Sequence, residues 1–282
     1  MDETLGATGS DRVTRASRPG DTNPAPHRRH IVSIEISQKI FGGVFSVPFL
    51  PGSVTGISTG CDSLDGLLGG GLERGTITQV YGPPASGKTN VALGATVEVA
   101  AAGNRALYID TEGLSIDRLG QLADARDAEG LADRIIVSEA YDFEEQREAV
   151  ADAGDFADQV ELIVLDSATG FYRLERTESE EGEALRGVAR QLTSLLALAR
   201  RHDLAVVVTN QVYTDPESDR ARPLGGHTLA HWTGIVLRLE RFRGGNRRAT
   251  LEKHHARETG GSARFRITGE GLAGAEGRDS VG

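Results

Sequence analysis

The sequence predicts an α/β domain built on a mostly parallel, twisted sheet with helices on both faces. Three observations predict it. Short apolar runs alternate with helical patterns along the chain. Two of those runs, 162–166 and 204–209, are almost wholly apolar, as strands covered on both faces must be. A glycine-rich segment lies between a strand run and a helix pattern, where a parallel sheet needs a sharp turn.

The elements follow in order. Residues 76–81 are a β-branched run ending in the glycine-rich turn, and 88–102 read as a helix. Residues 106–110 read as a buried strand and 114–126 as a second helix. Residues 135–137 are strand-like and 143–153 helical. Residues 183–201 place Leu185, Val188, Ala189, Leu192, Leu195, Leu196 and Ala199 on one face of a helix. Three further strands are expected at 235–240, 249–253 and 263–268. The domain plan is an N-terminal extension over 1–53, a core over 54–270 and a flexible tail over 271–282. There is no internal repeat.

Composition narrows the classes. The chain has 282 residues and a formal charge of −10, with a pI of about 5.3. Its only lysines are Lys39, Lys88 and Lys253. An acidic, lysine-poor surface fits proteins of a high-salt cytoplasm, and it equally fits GC-rich codon bias. The charge argues against indiscriminate DNA binding but leaves room for a local arginine-lined site. Cys61 is the one cysteine, so an internal disulfide and a cysteine-cluster metal site are excluded, and a cytoplasmic location is expected. No run of about 18 apolar residues is long enough to span a membrane.

The motif with the most chemistry is Gly82-Pro83-Pro84-Ala85-Ser86-Gly87-Lys88-Thr89, which meets G-x-x-x-x-G-K-[ST] at every fixed position. Its glycines let backbone N–H groups turn inward around a β-phosphate, and the following helix N-terminus adds a favourable dipole. Lys88 would reach the β- and γ-phosphates of ATP, and the Thr89 hydroxyl would ligate Mg²⁺. Asp166 ends the 162–166 run. Alone it is an ordinary strand-end acid; beside a P-loop it is the carboxylate that holds the Mg²⁺ water shell. Glu112, in YIDTEG, is placed to orient and deprotonate an attacking water, and its plainer reading is an acidic helix start. Gln211, in VVVTNQV, is placed to sense a γ-phosphate, and its plainer reading is a loop start.

Taken in order, the segments ISTGCDSLDGLLGGGLERGTITQVYGPPASGKTN, YIDTEG, LIVLDSATGFYR, VVVTNQV and PLGGHTLAHW resemble the archaeal and eukaryotic strand-exchange recombinases. Within them the chain is similar to the RadB family, short archaeal paralogues of RadA. The resemblance covers roughly residues 57–268. It implies a RecA-like P-loop NTPase core with ATP and Mg²⁺ as cofactors. It implies Lys88 and Thr89 on phosphate and Mg²⁺, Glu112 as catalytic base, Asp166 on Mg²⁺ and Gln211 as γ-phosphate sensor. Arg118 matches the position that stacks on adenine, one residue short in its spacing from Glu112. His227 matches a position near a neighbouring subunit's ATP. The implied partners are DNA, a RadA-type recombinase and a Holliday-junction resolvase, with a homo-oligomer as a further expectation.

The departures shape the expected function. The recombinases carry a helix-hairpin-helix domain before the core, and none is recognisable in residues 1–53. The first DNA-binding loop of the family reads Arg173-Leu174-Glu175-Arg176-Thr177-Glu178-Ser179-Glu180-Glu181-Gly182-Glu183, two positive charges against five negative. The second, residues 212–226, offers only Arg220 and Arg222. A recombinase filament needs basic loops along its axis. His255 stands where many RecA-like ATPases carry the arginine of a Lys-x-Arg pair. The resemblance therefore implies a weak, DNA-independent ATPase that mediates or regulates recombination and branched-DNA processing, without strand exchange. The alternative is a KaiC-like RecA-fold signalling ATPase with no DNA role; YIDTEG and TNQV favour the recombinase branch. The cluster Arg241, Arg243, Arg247 and Arg248 reads as a solvated hairpin rim, with a DNA site as its alternative.

Residues 1–53 differ in character. They carry a net charge of +1, their first thirty residues are rich in Ser, Thr, Pro, Gly and Arg, and 31–50 hold four Ile, three Phe and one lysine. The leading expectation is a mis-assigned start, with translation beginning near Val54. A docking segment carrying Phe41 or Phe45 and a disordered tail are the alternatives. Residues 31–50 are expected to have no partner in the sheet.

Overall fold

The computed structural model describes residues 31–32, 56–126, 128, 130–172, 181–215 and 220–275. The elements are β1 (Ile31–Val32), α1 (Asp62–Leu68), β2 (Ile77–Tyr81), α2 (Lys88–Ala101), β3 (Ala106–Asp110), α3 (Ile116–Asp124), β4 (Ile135–Glu139), α4 (Phe143–Phe156) and β5 (Leu162–Asp166). They continue with α5 (Glu181–His202), β6 (Ala205–Asn210), β7 (Val212–Asp215), β8 (Arg220–Pro223), α6 (Gly226–Trp232), β9 (Ile235–Arg241), β10 (Asn246–Lys253), β11 (Ser262–Thr268) and β12 (Gly271–Gly274).

The main sheet runs β1-β4-β3-β5-β6-β2-β9-β10-β11-β12. From β4 to β9 every pairing is parallel. From β9 to β12 every pairing is antiparallel. The parallel strands alternate their contacts between two cores because successive side chains point to opposite faces. Val164 and Val207 join a core with α1, α2 and α3, while Ile163 and Val206 join the core beneath α4, α5 and α6. That double coverage explains why LIVLD carries no polar residue before its final acid.

Two short helices escape the sequence pattern for the same reason. In α1 only Leu64 and Leu68 are buried, one turn apart, too little for a visible period. The helix is held from outside: Ser58 and Thr59 hydroxyls and the Thr59 amide donate to Asp65. The helix α6 is equally short. The segment 212–226, expected to be a loop, forms the β7–β8 hairpin with Val212 opposite Pro223.

Three further differences concern the edges. Ile31 and Val32 pair antiparallel with Ser138 and Val137, against the expectation that 31–50 has no sheet partner. An open edge strand presents unpaired N–H and C=O groups, and β1 covers the side of β4 that would otherwise be that edge. The strand β10 begins at Asn246, three residues before the apolar pattern, because its first three residues, Asn246, Arg247 and Arg248, are polar. Beyond residue 270, β12 pairs with β11, and Leu272 packs on the α1–α2 side.

Candidate nucleotide site

The strand β2 ends at Tyr81 and α2 starts at Lys88, so residues 82–87 must reverse the chain within one loop. Gly82 lies so close to β9 that an added Cβ would come within 2.3 Å of the Leu239 carbonyl oxygen. Gly87 caps α2 with φ 105°, a left-handed conformation that favours glycine. Lys88 folds back and donates to the carbonyls of Gly82 at 3.1 Å and Pro83 at 3.3 Å. Burial pushes its pKa down, and the nearby Glu112 and Asp166 oppose that shift.

The acids come from neighbouring strand ends. The parallel register places Asp110 of β3 beside Asp166 of β5. Asp110 turns the chain after β3 by accepting from the amides of Glu112 and Gly113, both at 3.1 Å, and of Leu114. That turn lifts Glu112 to the rim, where its Oε1 accepts from Ser167 Oγ at 2.7 Å and Gln211 Nε2 at 2.9 Å. Asp166 is 2% exposed. It accepts from the hydroxyls of Tyr108 at 2.6 Å and Thr209, and the Thr89 hydroxyl lies near enough to favour its charged form. Burial raises its pKa above the usual carboxylate range, while these three donors favour the charged form and limit the rise. The peptide bond Asp166–Ser167 is cis.

A cavity of about 660 Å³ opens between the glycine-rich loop and these acids. Its volume is that of a small-molecule site, roughly 300–1,000 Å³. Gly82, Pro84, Ala85, Gly87, Lys88, Thr89, Glu112, Arg118 and Gln211 all line it. Pro83 and Ser86 belong to the same loop but are not in its lining, Ser86 being fully buried. Asp166 lies beneath, joined through Thr89. His227 is the second residue of α6, and its side chain lies outside the described residues. Arg173 and Arg176 also lie outside the described residues, as do the side chain of Arg220 and that of Arg243. Arg222 is exposed on β8.

Arg118 projects from α3 and is fixed by Asn90 Oδ1 at 3.0 Å, Gln121 Oε1 at 3.1 Å and the Gly269 carbonyl at 3.1 Å. The opposite wall holds two residues that the sequence analysis did not place in the site. Arg247 and Ile267, on β10 and β11, both approach Gly87: an added Cβ there would meet Ile267 Cδ1 at 3.1 Å and Arg247 Cδ at 3.2 Å. Arg247 donates to the carbonyls of Gly245 at 2.6 Å and Ala85 at 3.5 Å, and its Nε is buried without a partner. Burial first, and then Arg241, hold its pKa down. No carboxylate contributes to that balance. The solvated-rim expectation fails for Arg247, which turns over the glycine-rich loop. It holds for Arg248, whose 38% exposed side chain pairs with Glu240 at 2.8 Å and sits 4.9 Å above the exposed Phe242 ring. The available signal was register: β10 alternates, so adjacent arginines must face opposite sides.

Gln211 connects the cavity to the hairpin. Its side-chain amide donates to Glu112, its backbone N–H donates to Thr169 Oγ1 at 3.2 Å, and its backbone carbonyl accepts from the Leu224 amide at 2.9 Å. Asn210 Nδ2 also donates to the Leu224 carbonyl at 2.9 Å. A second, more polar depression of about 770 Å³ lies at the other end of the sheet. There Arg74 pairs with Glu161 at 2.5 Å, and His202 Nδ1 lies 2.7 Å from Asp158 Oδ1.

The sheet order, the glycine-rich loop and the strand-end acids define a RecA-like P-loop domain. The sequence pattern of the Rad51 family matches residues 52–275. The DNA repair and recombination protein RadB of Halobacterium salinarum is 63% identical over 230 residues, which span 80% of this chain and 98% of that protein. RadB of Methanoculleus marisnigri is 45% identical, over 77% of this chain and 96% of its own. The crystal structure of the RadB recombinase superposes with a TM-score of 0.67 at 39% identity, covering 78% of this chain and all of that one. The chain belongs to the RadB branch of the Rad51 family of DNA repair and recombination proteins.

Proposed function

We propose that this chain binds Mg-ATP, hydrolyses it slowly, and acts in DNA repair as a mediator of the main recombinase, without strand exchange of its own. The observation that carries the reading is convergence: Lys88, Thr89, Glu112 and Gln211, drawn from three strand ends, face one cavity with Asp166 beneath it. The backbone N–H groups of residues 85–89 would hold the phosphates, since Pro83 and Pro84 have none to give. Lys88 would exchange its two loop carbonyls for the β- and γ-phosphates. Thr89 and Asp166 would hold Mg²⁺, whose charge would offset the developing negative charge on the phosphates. Glu112 would take the proton of the attacking water, and Gln211 would report the γ-phosphate to the β7–β8 hairpin. Arg118 would stack on the adenine. His227 would approach a neighbouring copy's ATP in a homo-oligomer.

The mediator reading rests on charge. The segment 173–183 has a deficit of cations, and phosphate neutralisation supplies much of the affinity for DNA. DNA binding is therefore weak or dependent on DNA structure, with a RadA-type recombinase and a Holliday-junction resolvase as protein partners in the cytoplasm. Among the described residues no helix is long and apolar enough to cross a membrane. Filter binding of labelled DNA at molar salt, with and without ATP, tests this. Weak binding with no pairing of homologous strands is expected. Tight, ATP-dependent filament formation with strand exchange would overturn it.

A further inference from the structure

At the end of β10, remote from the cavity, Glu73, His254 and His255 bring three ligating atoms within 4.8 Å of one another. Glu73 lies in the turn that enters β2 from its N-terminal end, whereas the P-loop leaves β2 at its C-terminal end. The two sites are thus separated by the length of the strand, about 15 Å for five residues. His255 Nε2 sits 3.0 Å from Glu73 Oε1, and His254 Nε2 sits 3.9 Å from Glu73 Oε2. The two rings stack at 5.1 Å.

An ordinary ion pair accounts for Glu73 and His255, which are 40% and 49% exposed. It does not account for His254. That side chain is 3% exposed, and its Nε2 is buried with no hydrogen-bond partner while facing Glu73. The Leu68 carbonyl lies near enough to favour the protonated ring but not in hydrogen-bonding geometry with Nε2. A buried imidazole nitrogen without a partner is costly, and once its proton moves to Nδ1 its lone pair is a good ligand for a borderline metal.

We propose that Glu73, His254 and His255 form a binding site for a zinc-class divalent cation, which clamps the turn after β10 to the turn entering β2. Two imidazoles and one carboxylate suit zinc, cobalt or nickel and not magnesium, which takes oxygen ligands. Ligands on one tetrahedral zinc sit about 3.4 Å apart. The three ligating atoms lie within 4.8 Å of one another, and the two histidines approach different oxygens of Glu73 at 3.0 and 3.9 Å, so side-chain rotations that bring one carboxylate oxygen and both rings together complete the set. A fourth position stays open to water. Ligation through Nε2 moves the ring proton of His254 to Nδ1, which now accepts from the Ala256 amide at 3.1 Å. That amide is exposed and turns to solvent. The lost bond is worth a factor of about two to ten, small beside the many orders of magnitude by which zinc holds such ligands. Arg257, which donates to the Gly69 carbonyl and acts on His254, opposes the ion, and the Glu73 carboxylate offsets it.

The test uses the full chain stripped of metal and titrated with Co²⁺, then with Zn²⁺. One Co²⁺ per chain is expected, with the intense visible absorption of a four- or five-coordinate ion, displaced by Zn²⁺ and indifferent to Mg²⁺. Glu73→Gln and His255→Ala lie on exposed positions and should each weaken uptake by about tenfold or more. His202→Ala, whose ring pairs with Asp158 elsewhere, should leave it unchanged. Thermal unfolding of each metal-free variant verifies its fold. The proposal is overturned by no uptake, by uptake that both Glu73→Gln and His255→Ala retain, or by the faint spectrum of a hydrated six-coordinate ion.

Discussion

The parallel centre of the sheet and its antiparallel end supply the same cavity in different ways. The centre contributes Lys88, Thr89, Glu112, Asp166 and Gln211, each at the C-terminal end of a strand or one turn beyond it. Parallel pairing gathers strand ends on one rim, so a motif at each end is enough to predict a site. The antiparallel end contributes Arg247 and Ile267 from strand interiors, where only pairing and pleat decide which side chain turns inward. Chemistry is thus written at the strand ends of the centre, while one wall of the site is written in the register of the extension.

The largest effect that would test the centre is on hydrolysis. Glu112→Gln should retain ATP binding and lower turnover by ~10²–10⁴-fold, the usual loss for a general base. An unchanged single-turnover rate would make Glu112 a structural acid held by Ser167 and Gln211. Next comes Lys88→Ala. In saturating ATP, at about 100 times the dissociation constant, binding stabilises a protein by about 2.7 kcal/mol. The variant should lose most of that thermal shift, and a shift equal to the parent's would remove Lys88 from the phosphate site.

The extension is tested by smaller changes. Arg247→Ala should weaken ATP by about tenfold, or about 1.4 kcal/mol, because a half-buried cation beside the P-loop has no carboxylate to serve instead. Isothermal titration reads this directly, and Arg247→Lys should recover part of the affinity. Equal affinities in all three proteins would return Arg247 to the solvated rim. The smallest effect concerns the join between the two regions, where the Tyr81 hydroxyl on β2 donates to Glu252 on β10 at 2.5 Å. Tyr81→Phe should cost about 1 kcal/mol of stability in urea unfolding. Glu252 keeps Arg238 at 2.9 Å, so a loss above about 3 kcal/mol would show that the pair does more than join two strands.

Legibility followed the same division. The strands β3 and β5 were readable to the residue, because burial on both faces forbids polar residues until the strand emerges. The helix α5 was readable because its apolar face repeats over several turns. The helices α1 and α6 were not, since seven residues show one period at most. The 212–226 segment was read as a loop because its strands are short and polar, and a hairpin of that kind is fixed by its partner and not by its own apolar pattern.

The sequence by itself determined the α/β class, the glycine-rich loop with its lysine and threonine, and the acids that close strands. Those features depend on local backbone demands and on burial, which a linear pattern records. Tertiary structure alone decided that Arg247 covers Gly87, that β12 completes the sheet, and that Glu73 meets two histidines about 180 residues away. Each of these joins residues distant in sequence through pairing register and strand order, and no local preference of the chain encodes such a meeting.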